Sequence, residues 1–188
     1  MFNLKIIIVS TRPGRKGPLV GAWTYEAIKD HPAFKVSVVD LAEIDLPMMN
    51  EPNHPRMKKY QHQHTLDWSN SIEEADAFII VTPEYNFGYP APIKNALDYL
   101  FHEWSNKPVA FVSYGGVAGG TRSVQMLKQV VSAFNMMALS EAVHIPFFAK
   151  LINDQNQFDP GQTLDKSVEA MMTALTNWTE ALNKVRGK

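Results

Sequence analysis

The sequence predicts an α/β fold, a five-stranded parallel sheet with helices on both faces. Three observations lead there. Short apolar runs alternate five times with stretches of helical periodicity along the 188 residues. The clearest runs, 4–9 (LKIIIV) and 77–81 (AFIIV), are continuous rather than alternating, as in strands covered on both faces. Finally, loops dense in glycine, proline and polar residues follow the first, third and fourth runs. In a sheet with right-handed crossovers, such loops gather beyond the carboxyl ends of the strands, where the winding reverses and ligands bind. One domain spanning 1–188 is expected, and a chain of this length buries roughly 70% of its unfolded surface.

In chain order, 4–9 is the first strand, and Val20, Trp23, Thr24, Ala27 and Ile28 then recur at helical spacing. Residues 34–39 read as a second strand. The stretch 41–65, with prolines 47, 52 and 55, reads as an irregular surface excursion ordered by a partner. A helix over 66–75 turns Trp68 and Ile72 inward, and 77–81 is the third strand. Ile93, Ala96, Leu97, Leu100, Phe101 and Trp104 form one apolar helical stripe, with Pro92 tolerated in its first turn. Residues 109–113 are the fourth strand, Val124, Leu127, Val131 and Phe134 mark the next helix, and 143–147 is the fifth strand. The last helix, 164–185, carries Val168, Met171, Met172, Leu175, Leu182 and Val185 on one face. Met136-Met137 and Met171-Met172 read as core or interface filler.

Composition narrows the function. A net charge of −1 provides no footprint for nucleic acid or an anionic membrane, and no run approaches a membrane span. The chain has no cysteine, which excludes disulfides, thiolate metal sites and thiol catalysis, and suits a cytoplasmic protein. The leading apolar run is too short for a signal sequence. Asn177-Trp178-Thr179 spells a glycosylation sequon, but nothing here directs the chain to secretion. His54, His62 and His64 lack the acid or cysteine that would complete a metal set, so no metal is expected.

The three loops carry the chemistry. The first, STRPGRKG from Ser10 to Gly17, combines the hydroxyls of Ser10 and Thr11 with Arg12, Arg15 and Lys16 ahead of a helix. Free N–H groups and the positive end of the helix dipole favour an anion there, and arginine adds bidentate bonds to phosphate. It is neither a P-loop, because Gly17 follows Lys16, nor a dinucleotide fingerprint, because only Gly14 and Gly17 are present. Asp40 reads as a capping residue. The second loop, PEYNFGYP from Pro83 to Pro90, sets rings beside amide and backbone donors, which suits a planar hydrogen-bonding ligand. Glu84 has no carboxylate partner in sequence and reads as structural. The third, YGGVAGGTR from Tyr114 to Arg122, has glycines at 115, 116, 119 and 120 that let backbone approach a ligand closely.

With STRPGRKG, TPEYNFGYPAPIKNALDYL and SYGGVAGGTR in this order, the chain resembles the NADPH-dependent FMN reductase family, which includes quinone, chromate and azo-dye reductases. The resemblance implies a flavodoxin-like three-layer sandwich with strand order 2-1-3-4-5. It implies FMN as cofactor with NADPH or NADH as co-substrate. The phosphate would lie against Ser10, Thr11, Arg12 and the segment holding Arg15, Gly17, Leu19 and Val20. The ring would lie against Pro83, Glu84, Tyr85, Asn86 and Phe87 and against Tyr114, Gly115 and Gly116. It also implies a homodimer or homotetramer, with Lys94 and Asp98 as interface or salt-bridge residues. Two positions depart from the family pattern: Phe87-Gly88-Tyr89 is bulkier than usual, and Gly17-Pro18 replaces a phosphate-binding serine found in some members.

The expected function is therefore hydride transfer from NAD(P)H through FMN to a small acceptor, which could be a quinone, free flavin, azo compound or metal oxyanion. No catalytic side chain is expected, since no triad or carboxylate pair is present. Two other readings stay open: an FMN electron carrier without nicotinamide activity, and a cofactor-free binding protein on the same fold.

Overall fold

A computed structural model describes residues 1–187. Five strands, β1 (Phe2–Ile8), β2 (Phe34–Asp40), β3 (Ala77–Pro83), β4 (Pro108–Tyr114) and β5 (Met137–Ile145), form one parallel sheet in the order β2-β1-β3-β4-β5. Six helices join them: α1 (Gly17–Ile28), α2 (Leu41–Ile44), α3 (Gln63–Glu73), α4 (Ala91–Asp98), α5 (Thr121–Ser132) and α6 (Asp165–Val185). This is the expected flavodoxin-like topology.

Two cores explain why the apolar runs are continuous. Successive side chains of a strand point to opposite faces. On one face Ile7, Phe78, Ile80 and Phe111 pack with Trp68, Ile93, Leu97 and Val124 from α3, α4 and α5. On the other, Leu4, Ile6, Ile79 and Val112 pack with Val20, Met171 and Leu175 from α1 and α6. Every residue of β3 and β4 is buried. Each fully buried large aliphatic side chain stabilises the fold by roughly 1.5–3 kcal/mol.

Two expected elements are corrected. The apolar stripe from Ile93 to Trp104 is not one helix: α4 ends at Asp98, and 3₁₀ turn His102–Trp104 carries Trp104 into the core. There Trp104 Nε1 donates to the Leu97 carbonyl at 3.2 Å. The fifth strand begins at Met137, not at 143, and Phe147 lies beyond it at φ 49° with its ring exposed. Its first half is an edge segment with a register shift between Val109 and Phe111, so its burial is too uneven for a continuous apolar run.

The excursion 41–65 is ordered by the chain itself. Asp40 caps α2, accepting from Ala42 N–H at 3.0 Å. Asn95 donates to the Pro47 carbonyl at 2.7 Å and accepts from Met49 N–H at 2.9 Å. The wholly buried Glu103 accepts from Tyr60 Oη at 2.9 Å and Ser69 Oγ at 2.7 Å. His62 and His64 stack on each other, and no group of three metal-ligating side chains forms among the described residues. Lys94 and Asp98 pair along α4. In α6 the buried face includes Thr179 and Asn183, while Val185 is exposed.

Candidate functional site

The register brings the three loops together. Ile8 pairs with Val81, and Thr82 and Pro83 pair with Ser113 and Tyr114, so the carboxyl ends of β1, β3 and β4 lie side by side. Val9 N–H reaches the Val81 carbonyl at 3.1 Å and extends that contact past the end of β1.

In the first loop, Arg15 N–H and Leu19 N–H turn back onto the Arg12 and Lys16 carbonyls at 3.2 and 3.1 Å. The N–H groups of Thr11, Arg12, Lys16 and Gly17 donate to no described residue. They stand at the positive end of α1, which has no side-chain cap, and this is the arrangement that binds anions. Thr11 and Arg12 are exposed. Arg12 Nε donates to Tyr85 Oη at 3.2 Å, with its guanidinium 5.7 Å from that ring, joining the first loop to the second.

Other expected phosphate residues sit differently. Ser10 is fully buried, and its Oγ accepts from Tyr114 Oη at 3.3 Å instead of facing a ligand. The Arg15 guanidinium donates to Asp40 at 2.6 Å and to the Ser10 carbonyl at 2.8 Å, so it ties loop to strand. The bond to Asp40 raises the Arg15 pKa above its ordinary value. The Val20 side chain belongs to the core, and its N–H turns back to the Lys16 carbonyl at 3.4 Å. The half-buried Leu19 packs against that core. Gly17 is required sterically, since a Cβ there would lie 2.2 Å from Ser10 Oγ.

The second loop is a two-residue turn. Tyr85 and Gly88 exchange backbone bonds of 2.9 and 3.0 Å, and Asn86 and Phe87 have φ of 51° and 69°. Both values belong to a type I′ turn, in which Asn suits the first position and Gly the second. Phe87 takes the glycine's place and is 66% exposed. Pro83 is buried at the strand end.

The third loop is fixed from β5. Gly115 N–H donates to the Ile145 carbonyl at 3.2 Å, and the Gly116 carbonyl accepts from Gly119 and Phe147 N–H at 3.1 and 3.0 Å. Ser113 Oγ lies 2.7 Å from both the Gly119 carbonyl and His144 Nδ1. Having one proton, given to the carbonyl, it must accept from Nδ1–H, which sets the His144 tautomer. Burial and Lys128 lower the His144 pKa, and burial pushes the Tyr114 phenol up to about 12.

Across a cleft of ≈ 420 Å³, the second and third loops are strapped together. Glu84 accepts from Arg122 Nε at 2.5 Å and from Arg122 N–H at 3.2 Å, with a further contact from Nη2. The Arg122 guanidinium lies 4.0 Å from the Phe87 ring centre. Sequence reasoning missed Arg122, Ser113, His144 and the Arg15–Asp40 pair. The only signal for Arg122 was its place at the end of the glycine run.

The residues present fit FMN. Unused N–H groups and Arg12 on an uncapped helix suit its phosphate. Gly116, with nothing within 4 Å of the position its Cβ would take, leaves backbone open to a flat ring.

Residues 3–150 match the family model for NADPH-dependent FMN reductases. An NAD(P)H-dependent FMN reductase of Schizosaccharomyces pombe is 44% identical over 136 residues, 71% of this chain and 68% of that protein. One from Saccharomyces cerevisiae is 35% identical over 157 residues, 77% of this chain and 82% of that protein. Among solved structures, the flavoenzyme NAD(P)H:(acceptor) oxidoreductase of Paracoccus denitrificans superposes with a TM-score of 0.75 at 21% identity, covering 96% of this chain and 98% of that one. At that identity the likeness speaks for the fold.

Proposed function

The chain belongs to the NADPH-dependent FMN reductase family, oxidoreductases that use FMN with NAD(P)H, and we propose that its three loops hold FMN and serve a small electron acceptor. The acceptor would be a quinone, free flavin, azo compound or metal oxyanion. The observation that carries this reading is the set of unused N–H groups at the start of α1, with exposed Arg12 beside them.

When bound, FMN supplies the redox chemistry, taking a hydride from NAD(P)H and delivering two electrons to the acceptor. The protein binds and orients. Arg12, Thr11 and the N–H groups of Lys16 and Gly17 hold the phosphate. The backbone around Asn86 and Phe87 and the open glycine at 116 face the ring. Ser10 and Tyr114 support the helix start from below, and Arg15 anchors the loop to β2. Glu84 is committed to Arg122 and so does not stand ready as an acid or base.

A homodimer or homotetramer is part of this reading. Ile44 and Met48, beside α4, are 38% and 78% exposed and supply apolar surface for such a contact. Cytoplasmic location is also part of it, supported by the cysteine-free composition. No helix among the described residues is long and apolar enough to cross a membrane.

Titrating the apoprotein with FMN and following the quenching of flavin fluorescence tests the site. Stoichiometric binding that is lost in Arg12→Ala is expected. Binding unchanged by that substitution would remove the phosphate from the first loop.

A further inference from the structure

On the face of the sheet opposite α3, α4 and α5, helix α1 packs on β1, β2 and β3, and α6 packs on β4 and β5. A groove of ≈ 360 Å³ remains between the two helices, within the ~300–1,000 Å³ typical of small-ligand pockets. Its lining shares no residue with the three flavin loops or with α4. The floor is apolar: Ile28 and Met172 belong to the core beneath, and Val168 packs against it. Trp23 forms a wall, its partly buried ring held edge-on by Phe158 at 5.4 Å and 77°.

The rim is negative and uncompensated. Asp165 and Glu169, one turn apart on α6, both line the groove, and no lysine or arginine does. Neither carboxylate has a hydrogen bond or ion pair among the described residues. Like charges at this spacing repel. The positive start of α6 offsets that for Asp165 but not for Glu169, a turn further in. Lys166 lines the adjoining groove, which Glu169 also borders, and forms no ion pair there. His31 adds no positive charge at neutral pH. Its Nδ1 accepts from Ala33 N–H at 3.3 Å, which leaves its proton on Nε2, and burial lowers its pKa. His31, Asp165 and Glu169 do not come together as a metal set.

We propose that this groove binds a small organic cation, an ammonium carried on a flat apolar body. The body lies over Ile28, Val168 and Met172 against Trp23, and the ammonium meets Asp165 and Glu169 at the rim. Each part of such a ligand has its counterpart. Covering the floor removes apolar surface from water on both sides. Indole is the strongest aromatic partner for a cation. The ammonium supplies the positive charge that the two carboxylates lack. A neutral ligand would leave that charge unmatched, and an anion would be repelled by it.

The test titrates the purified protein by calorimetry with 2-phenylethylammonium, the neutral 2-phenylethanol and the anionic 3-phenylpropionate. The ammonium should bind saturably at one site, roughly 3- to 10-fold tighter than the alcohol, as two exposed charge contacts provide, and the carboxylate should bind weakest. Raising the salt to about 0.5 M should narrow the difference. Asp165→Asn combined with Glu169→Gln should remove the preference for the ammonium and leave the alcohol unchanged. Both positions are exposed and the replacements keep their size, so melting curves should match wild type. Trp23→Leu should weaken the ammonium roughly 2- to 5-fold.

The titration needs no flavin, so its outcome is independent of the proposed function. Saturating FMN should leave the ammonium bound, and displacement by FMN would move the cation to the flavin cleft and overturn the site. Equal affinity for all three probes, no saturable binding of the ammonium, or a preference for it that survives in the double variant would overturn it as well.

Discussion

Gly17 is the position where fold and site are most tightly coupled. A Cβ added there would lie 2.2 Å from Ser10 Oγ, 3.0 Å from Tyr114 Oη and 3.1 Å from Ile8 Cγ2. Ser10 is fully buried and Tyr114 nearly so, and the serine hydroxyl can move aside only by giving up its bond to Tyr114. Overpacking of this kind costs roughly 1–3 kcal/mol. For a chain of this size each kcal/mol lowers the melting temperature by about 2–4 °C, so Gly17→Ala should melt about 2–12 °C lower. Its FMN affinity should fall as well, because the displaced residue carries one of the unused N–H groups. Ser10→Ala alone removes the nearest atom and leaves Tyr114 without its acceptor, at a cost of about 0.5–1.5 kcal/mol. In the double variant the collision is largely gone, so its destabilisation should be smaller than the sum of the singles by about 1 kcal/mol or more. Denaturant unfolding of the four proteins measures this cycle. Additive single-variant effects, or a Gly17→Ala protein as stable as wild type, would show that the helix start is not packed on Ser10 as described.

Three further expectations concern separate parts of the molecule. Arg12→Ala should weaken FMN by roughly 10- to 100-fold, from charge-assisted bonds of about 1.5–3 kcal/mol, while the exposed position leaves apoprotein melting nearly unchanged. Isothermal titration and a melting curve check both halves. Glu103→Ala should cost about 2–4 kcal/mol, since it strips Tyr60 and Ser69 of their buried acceptor, and it should open residues 45–61 to protease. Resistance equal to wild type would mean that Glu103 does not hold the excursion. Burial lowers the His31 and His144 pKa values, with Lys128 adding to the effect at His144. The unfolded chain then takes these protons first, near pH 6.5, so stability should fall as pH drops from about 7 toward 5. His144→Gln should flatten part of that slope, and identical slopes in melting scans would argue against a buried neutral imidazole.

The sheet could be read from sequence because strands buried on both faces leave continuous apolar runs, as at Ile6 to Val9 and Ala77 to Val81. Periodicity failed where burial and secondary structure part company. Leu100 and Trp104 keep the apolar spacing of α4 although the chain has left the helix: Leu100 stays in the same core just past the helix end, and a 3₁₀ turn returns Trp104 to it. The first half of β5 is a shifted edge segment whose burial is patchy, so the residues before 143 carried no strand signal. The ligand loops were recognisable as units from their glycines, prolines and cations. Which side chain faces a ligand was not. Ser10 is turned inward by Tyr114 and Arg15 outward to Asp40, partners 104 and 25 residues away that no local spacing announces. The Glu84–Arg122 strap, 38 residues apart, was hidden for the same reason.

The decisive measurement is the visible absorbance spectrum of the purified protein under anaerobic conditions, first alone, then with NADPH, then with a quinone. A flavin-dependent reductase should show an FMN spectrum that NADPH bleaches and the quinone restores. Bound FMN that NADPH leaves unchanged would contradict the reductase and favour an electron carrier. A colourless protein that takes up no added FMN would contradict the flavin site itself.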